Sequence, residues 1–251
     1  MSGMSDGLTP AMRRLWEGEG DGPRAARQGL SLDRIVAAAV ELADADGLAA
    51  VSMARVARRL GFTTMSLYRH VEGKEELLRL MADAASGEPP RLDPAAGWRA
   101  GMERWTRAMY RALLVHPWYA DLPITGPPRL PNGVAWFDRA LEALAQTGLD
   151  EGEKLGVVLL ANGTAFWHAR LTIEFGGAAR ARGSSVEEET AAYGTAIDGL
   201  ISGERFPSLR RALDSGVFSG EEEDADADFE FGLRMTLDGV ERLVERRRAG
   251  R

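Results

Sequence analysis

Residues 52–74 read SMARVARRLGFTTMSLYRHVEGK, two short apolar-periodic segments on either side of Gly61-Phe62. In the first, Ser52 suits an N-cap, Val56, Ala57 and Leu60 fall on one face, and Gly61 stands where a left-handed residue ends a helix. The second segment starts at Thr63 or Thr64 and runs to about His70, where Glu72-Gly73 breaks it. Leu67 and Val71 are four apart and face inward, which leaves Thr64, Met65, Tyr68 and Arg69 largely on the other side. Two short helices joined by such a turn cross steeply, so that the second can enter a major groove. Its outward set is a hydroxyl, a flexible apolar group, an aromatic ring with a polar tip and a guanidinium, which suits base edges and phosphates. Ser52 and Arg55 before it, and Lys74 after it, are placed for the flanking phosphates. The competing reading is a helical hairpin with ordinary solvated charges, because this geometry alone recurs widely.

Charge separates the two readings. The chain has 31 Lys and Arg against 38 Asp and Glu, a net charge of -7, so a contact with nucleic acid has to come from a local patch. Between Ser52 and Lys74 the cations Arg55, Arg58, Arg59, Arg69 and Lys74 face Glu72 alone, a local net charge of +4.

Outward from this segment the pattern stays helical. Ser31 caps a helix over Leu32–Asp46 that is stopped by Gly47, and Lys74 opens another that runs to about Ala85. Residues 1–30 read as a mobile N-terminal arm in which Arg24 and Arg27 either reach a minor groove or belong to a solvated tail. Gly87-Glu88-Pro89-Pro90 separates a DNA-binding domain over 31–86 from a second domain over 93–248. In the second domain the periodicity predicts helices over 94–115, 133–147, 151–175, 186–201 and 229–247, with a proline-rich irregular crossing from Pro117 to Pro131. Glu221 to Asp228 holds six acids and reads as a solvated loop, with Asp228 able to cap the last helix. No strand pattern is visible, and the fold class is all-α.

Composition narrows the chemistry further. With no cysteine there are no disulfides, thiolate metal sites or cysteine nucleophiles, and the charged, glycine-bearing N-terminus lacks a signal-peptide core; both fit a cytoplasmic protein. The apolar stretch Leu155–Ala169 is broken by Asn162 and His168 and is shorter than the roughly 20 residues of a membrane span. Three histidines, His70, His116 and His168, and no cysteine do not offer the ligand set of a metal cluster. No nucleophile elbow, phosphate loop, paired-carboxylate motif or zinc spacing appears, so neither an enzyme nor a cofactor is indicated.

The segment IVAAAVELADADGLAAVSMARVARRLGFTTMSLYRHVEGKEELLRLM, with its Leu67-Tyr68-Arg69-His70-Val71 then Lys74 signature, resembles the DNA-binding domain of the TetR family. In the tetracycline-repressor branch the resemblance implies base or phosphate contacts from the positions of Ser52, Met53, Thr64, Met65, Ser66, Tyr68 and Lys74; Thr63 and Arg69 extend that set here. Ala54 departs from the branch, which has a base-reading arginine there, so the operator sequence does not transfer. Residues from Trp98 to about Val244 are similar to the family's ligand-binding domain, in a subgroup marked by His116-Pro117-Trp118 and by Asp228-Phe229-Glu230-Phe231-Gly232-Leu233. That similarity implies a pocket in each C-terminal domain and a homodimer built on a four-helix bundle, with the 151–175 helix and the final helix as contributors.

Candidates for the pocket are Trp105, Met109, His116, Trp136, Asn162, Phe166, Trp167 and His168. Most buried aromatics are core rather than lining, and Asn162 and His168 stand out as polar groups on an apolar helix that need partners. Phe229, Leu233, Leu237, Val240 and Val244 form an apolar stripe that suits either a dimer contact or an internal core, and periodicity does not choose. The function that follows is a repressor that binds a palindromic operator as a homodimer and is released by a small-molecule effector. The alternatives are an all-helical enzyme using the C-terminal cavity, and a ligand-independent DNA-binding scaffold or activator.

Overall fold

The computed structural model describes residues 8–17, 29–123, 126–220 and 226–250; it is helical, and no strand occurs among these residues. The helices are α1 (Pro10–Glu17), α2 (Leu32–Asp46), α3 (Met53–Leu60), α4 (Thr64–Leu67), α5 (Lys74–Ser86), α6 (Gly97–Val115), α7 (Pro131–Ala143), α8 (Glu151–Arg182), α9 (Val186–Asp198), α10 (Pro207–Asp214) and α11 (Ala227–Ala249).

Local chemistry sets the ends of the head helices. Ser31 and Ser52 accept the N–H groups of Arg34 and Arg55 and so cap α2 and α3. Gly61 takes φ 76°, ψ 27°, a left-handed conformation that closes α3 and turns the chain into α4. The head core gathers Ile35, Ala39 and Leu42 of α2, Val56 and Ala57 of α3, Leu67 and Val71 around α4, and Leu77, Leu80 and Met81 of α5.

The N-terminal reading needs correction. Residues 10–17 form helix α1 rather than part of an arm, and its Ala11 and Met12 are buried in the head core. Arg24 and Arg27 lie outside the described residues. Helix α10 was also not expected from the periodicity, and α8 runs seven residues past Phe175.

In the body, α6, α7, α8 and α11 share one core. Ala161, Ala165 and Ala169, spaced by one turn along α8, are fully buried and let α6 and α11 approach its axis closely. Phe229, Leu233, Leu237, Val240 and Val244 all point into this core. They hold the protomer together, which corrects their reading as dimer contacts. Helix α11 lies antiparallel to α8: Thr236 meets Thr164, and Arg247 near its C-terminus reaches Glu153 near the start of α8. Arg107 of α6 forks onto Glu230 of α11 at 2.7 and 2.8 Å and holds that carboxyl below its usual range. The last helix starts at Ala227 with Asp226 at its N-cap, so Asp228 sits in the first turn instead of capping; the acidic residues 221–225 lie outside the described residues.

Head and body meet through reciprocal end contacts of α5 and α7. Asp83 of α5 accepts the N–H of Gly133 at 2.8 Å and that of Asn132 at 3.3 Å, serving the open N-terminus of α7. Trp136 of α7 returns its indole N–H to the carbonyls of Ser86 and Gly87, both at 3.0 Å, at the end of α5. Burial raises the Asp83 carboxyl above its ordinary value against the pull of the two N–H groups. A carboxyl raised by folding binds its proton more tightly in the native state, so stability from this group declines as pH climbs from the unfolded value through the folded one. The melting temperature of Asp83→Asn, followed from about pH 4 to about pH 7, should therefore gain on that of the parent as pH rises. Parallel curves would contradict this account of Asp83.

Candidate nucleic-acid interface and effector site

The turn after α3 delivers α4 with its polar side outward. Thr63 caps α4 by accepting the Ser66 N–H, and its hydroxyl lies 2.9 Å from that of Ser66. Leu67 is fully buried, whereas Met65 is 74% and Tyr68 49% exposed. Arg69 is exposed, Thr64 and Ser66 are half-buried, and a hydrogen-bonded turn carries the segment on from α4 to His70. Lys74 is exposed as the first residue of α5, and Ser52 and Arg55 stand at the start of α3. The structure thus brings Ser52, Arg55, Thr63, Thr64, Met65, Ser66, Tyr68, Arg69 and Lys74 around the α3–α5 corner. Met53 is the exception, because its side chain is buried in the head core and cannot reach a duplex.

The local charge is partly neutralised. Arg55 pairs with Asp46 at 2.5 Å and Arg59 with Glu41 at 2.8 Å, while Arg58, Arg69 and Lys74 have no ion-pair partner among the described residues. Exposed pairs of this kind contribute about 0–1 kcal/mol, so either arginine can exchange its carboxylate for a phosphate at small cost.

The body resolves the pocket candidates into several groups. Trp105 and Trp136 are buried, 5.7 Å apart edge to face, and the Trp105 N–H donates to the Trp136 carbonyl at 2.9 Å; both are satisfied core residues. Trp167 is 60% exposed on the outer side of α8 and does not line the protomer's interior. His116 is a head–body contact, with Nδ1 2.8 Å from Asp44 of α2, and the same carboxylate accepts the Trp118 N–H at 2.6 Å. The His168 ring stands edge-on to Phe229 and fits against Gly232, where an added Cβ would lie 2.5 Å from Nε2.

Met109, Asn162 and Phe166 are each half-buried, and Met109 and Phe166 pack against the body core. Asn162 makes no side-chain hydrogen bond among the described residues. Phe166 meets Tyr119 at 5.8 Å, and the Tyr119 hydroxyl lies 3.2 Å from that of Ser86 at the end of α5. Tyr119 and the couplers Asp44 and Asp83 were not singled out by sequence reasoning. The signal available was the His116-Pro117-Trp118 motif, which Tyr119 directly follows. Among the described residues, no group of three or more His, Asp or Glu is arranged to hold a metal ion.

Comparison with known proteins assigns the architecture. Residues 35–81 match the profile of bacterial regulatory proteins of the tetR family, and residues 89–244 match the tetracyclin repressor-like C-terminal domain. The chain belongs to the TetR family. It is 34% identical over 254 residues to the HTH-type transcriptional repressor DrrR1 of Streptomyces coeruleorubidus, covering 98% of this chain and 90% of that one. The class A tetracycline repressor from transposon 1721 in Escherichia coli is 27% identical, with 86% and 94% covered. Among solved structures, ActR of Streptomyces coelicolor in complex with actinorhodin superposes with a TM-score of 0.71 at 28% identity, covering 85% of this chain and 96% of that one.

Within this TetR-family head, Leu67→Ala should lose about 2–5 kcal/mol in thermal or chemical denaturation, because it empties the core beneath α4. Tyr68→Ala should stay within about 0.5 kcal/mol of the parent, because half of its ring faces solvent. A large stability loss at Tyr68 would show that it supports the fold instead of serving a partner.

Proposed function

We propose that the chain is a homodimeric repressor whose α4 enters the major groove of a palindromic operator and whose body releases the operator when it binds a small molecule. The observation that carries this reading is the split of the α4 segment, with Leu67 and Val71 fully packed and Met65, Tyr68 and Arg69 facing outward beside cations that have no ion-pair partner among the described residues. Thr64, Met65, Tyr68 and Arg69 address base edges; Ser52, Arg55, Thr63, Ser66 and Lys74 hold the backbone on either side. Regulation, and not turnover, is the family's activity, and a cytoplasmic site of action suits a protein that meets chromosomal DNA.

The dimer rests on a second apolar stripe, distinct from the internal one. Leu159, Leu160 and Trp167 lie within about 100° of one another on the side of α8 opposite its buried alanines, and Phe231 and Met235 lie on the side of α11 opposite its internal stripe; all are exposed. Clustered exposed apolar side chains of this kind mark a surface that a partner covers. Gly163 and Gly239 on the same helices meet nothing where a Cβ would stand, which leaves room for a partner backbone. Pairing α8 and α11 with their copies makes a four-helix bundle and sets two α4 helices about one turn of DNA apart.

We place the effector site against Met109, Asn162 and Phe166, the last of which meets Tyr119. Asn162 supplies an unused amide, and Tyr119 touches Ser86 at the head junction. ActR, the structural relative solved with actinorhodin, makes that compound the first to assay as an effector. Release requires the ligand to bind the non-reading spacing of the heads more tightly than the reading one.

Anisotropy titration of a labelled fragment from the gene's own upstream region, against a scrambled fragment, tests the operator reading. Tyr68→Ala and Arg69→Ala should each weaken specific binding about ten- to a hundredfold, and Lys74→Ala should lower the salt slope by about one. Equal affinity for both fragments at moderate salt would defeat this proposal. In sedimentation, Leu159→Glu should shift the protein from dimer to monomer and with it cost at least about a hundredfold in operator affinity; an unchanged dimer would show that the bundle lies elsewhere.

A further inference from the structure

We infer that helix α1 is a positioning element for operator binding: it fixes the end of the recognition segment and ties it directly to the body. This inference rests on the operator-binding reading above, and no other part of that reading requires α1.

Three contacts along one short helix support it. At its start, the Thr9 hydroxyl donates to one oxygen of Glu76, whose other oxygen accepts the Glu72 N–H. Glu76, itself buried, thereby clamps the turn that joins the recognition segment to α5. In the middle, Ala11 and Met12 enter the head core, and Arg14 Nη2 donates to the His70 carbonyl at 3.3 Å, where the recognition segment ends. At its end, the Trp16 indole N–H donates to the Arg129 carbonyl at 3.0 Å. Arg129 lies in the strand of irregular chain that leads into α7.

The other head–body hydrogen bonds described above start from α2 at Asp44, from α5 at Asp83 and Ser86, and from Gly87 that caps α5. Those links fix the frame of the head but do not touch the recognition segment. Helix α1 does, since it holds His70 and the Glu72–Glu76 turn at one end and the α7 approach at the other. A shift of the α7 approach therefore pulls on the recognition segment through Arg14 and the His70 carbonyl, a route that does not pass through α5.

The Trp16 contact can be removed almost alone. Its ring is 47% exposed, so Trp16→Phe keeps the apolar body and deletes the one N–H. Operator affinity of Trp16→Phe should fall about threefold to tenfold, the size of one net hydrogen bond, at an unchanged melting temperature. Because the chain has no cysteine, an Ala54→Cys substitution gives one spin label per head, and electron–electron distance measurement without DNA should show a broader head-to-head distribution in Trp16→Phe than in the Trp16 protein. Parent-like affinity together with a parent-like distance distribution would overturn the inference. A parent protein that fails to bind its upstream fragment would instead sink the operator reading, and one that sediments as a monomer would sink the dimer; in the latter case the affinity comparison still decides the role of α1.

Discussion

The reciprocal contact between α5 and α7 is the constraint on which the rest of the molecule depends. A helix terminus leaves up to four backbone groups without intrahelical partners, and at a buried junction water cannot serve them. Here each helix serves the other, with Asp83 at the start of α7 and Trp136 at the end of α5. Sliding either helix past the other would break both sets of bonds together, so the junction resists displacement in both directions along the helix axes. The same two helices carry the cores on either side. Leu77 and Leu80 of α5 pack under the head, and Trp136 of α7 meets Trp105 of α6. A continuous path of packed groups therefore joins the inner face of the body to the helix that presents Tyr68.

At the other end of that path the head is prepared for a polyanion without being strongly basic as a whole. Its cations are arranged in two states of readiness. Arg58, Arg69 and Lys74 have no ion-pair partner among the described residues, whereas Arg55 and Arg59 are held by carboxylates whose exposed pairings are weak and screened by salt. The cations without a carboxylate partner among the described residues are the ones most open to a phosphate backbone. The capping hydroxyls of Ser52 and Thr63 are already engaged by backbone N–H groups, so the ends of α3 and α4 are fixed before any partner arrives.

The head was legible in the sequence because each of its boundaries rests on a local rule. Ser52, Gly61 and Thr63 fix helix ends by their own chemistry, and Leu67 with Val71 fixes which side of α4 is buried. Met53 escaped that logic, since a helix start does not reveal whether its first side chain turns into the core. Helix α8 runs through Gly176-Gly177, because glycines in helical φ/ψ cost only propensity. The alanine- and arginine-rich run that follows carries the helix to Gly183, whose φ of 73° does end it. Helix α1 was lost among glycines and charges: a single buried turn, Ala11-Met12, is too little periodicity to stand out. The roles of His116 and Asp83 could not be read at all, because their partners lie 72 and 49–50 residues away in the chain.

Helix α11 shows why periodicity alone could not separate core from interface. Its strong stripe, from Phe229 to Val244, and its weaker one, Phe231 with Met235, are offset by two residues and therefore sit on different sides of one helix. The stronger signal belongs to the inside, where burial against α6 and α8 is complete. The weaker belongs to a surface that only a second copy would cover in the proposed dimer. In that dimer the placement has a mechanical consequence. Helix α8, which would help set the distance between the two heads, also carries Asn162 and Phe166, where the effector site is proposed. A ligand entering there would press on the dimer frame and, through Tyr119 and Ser86, on the head junction, so head spacing and head tilt would respond to one event and not to two.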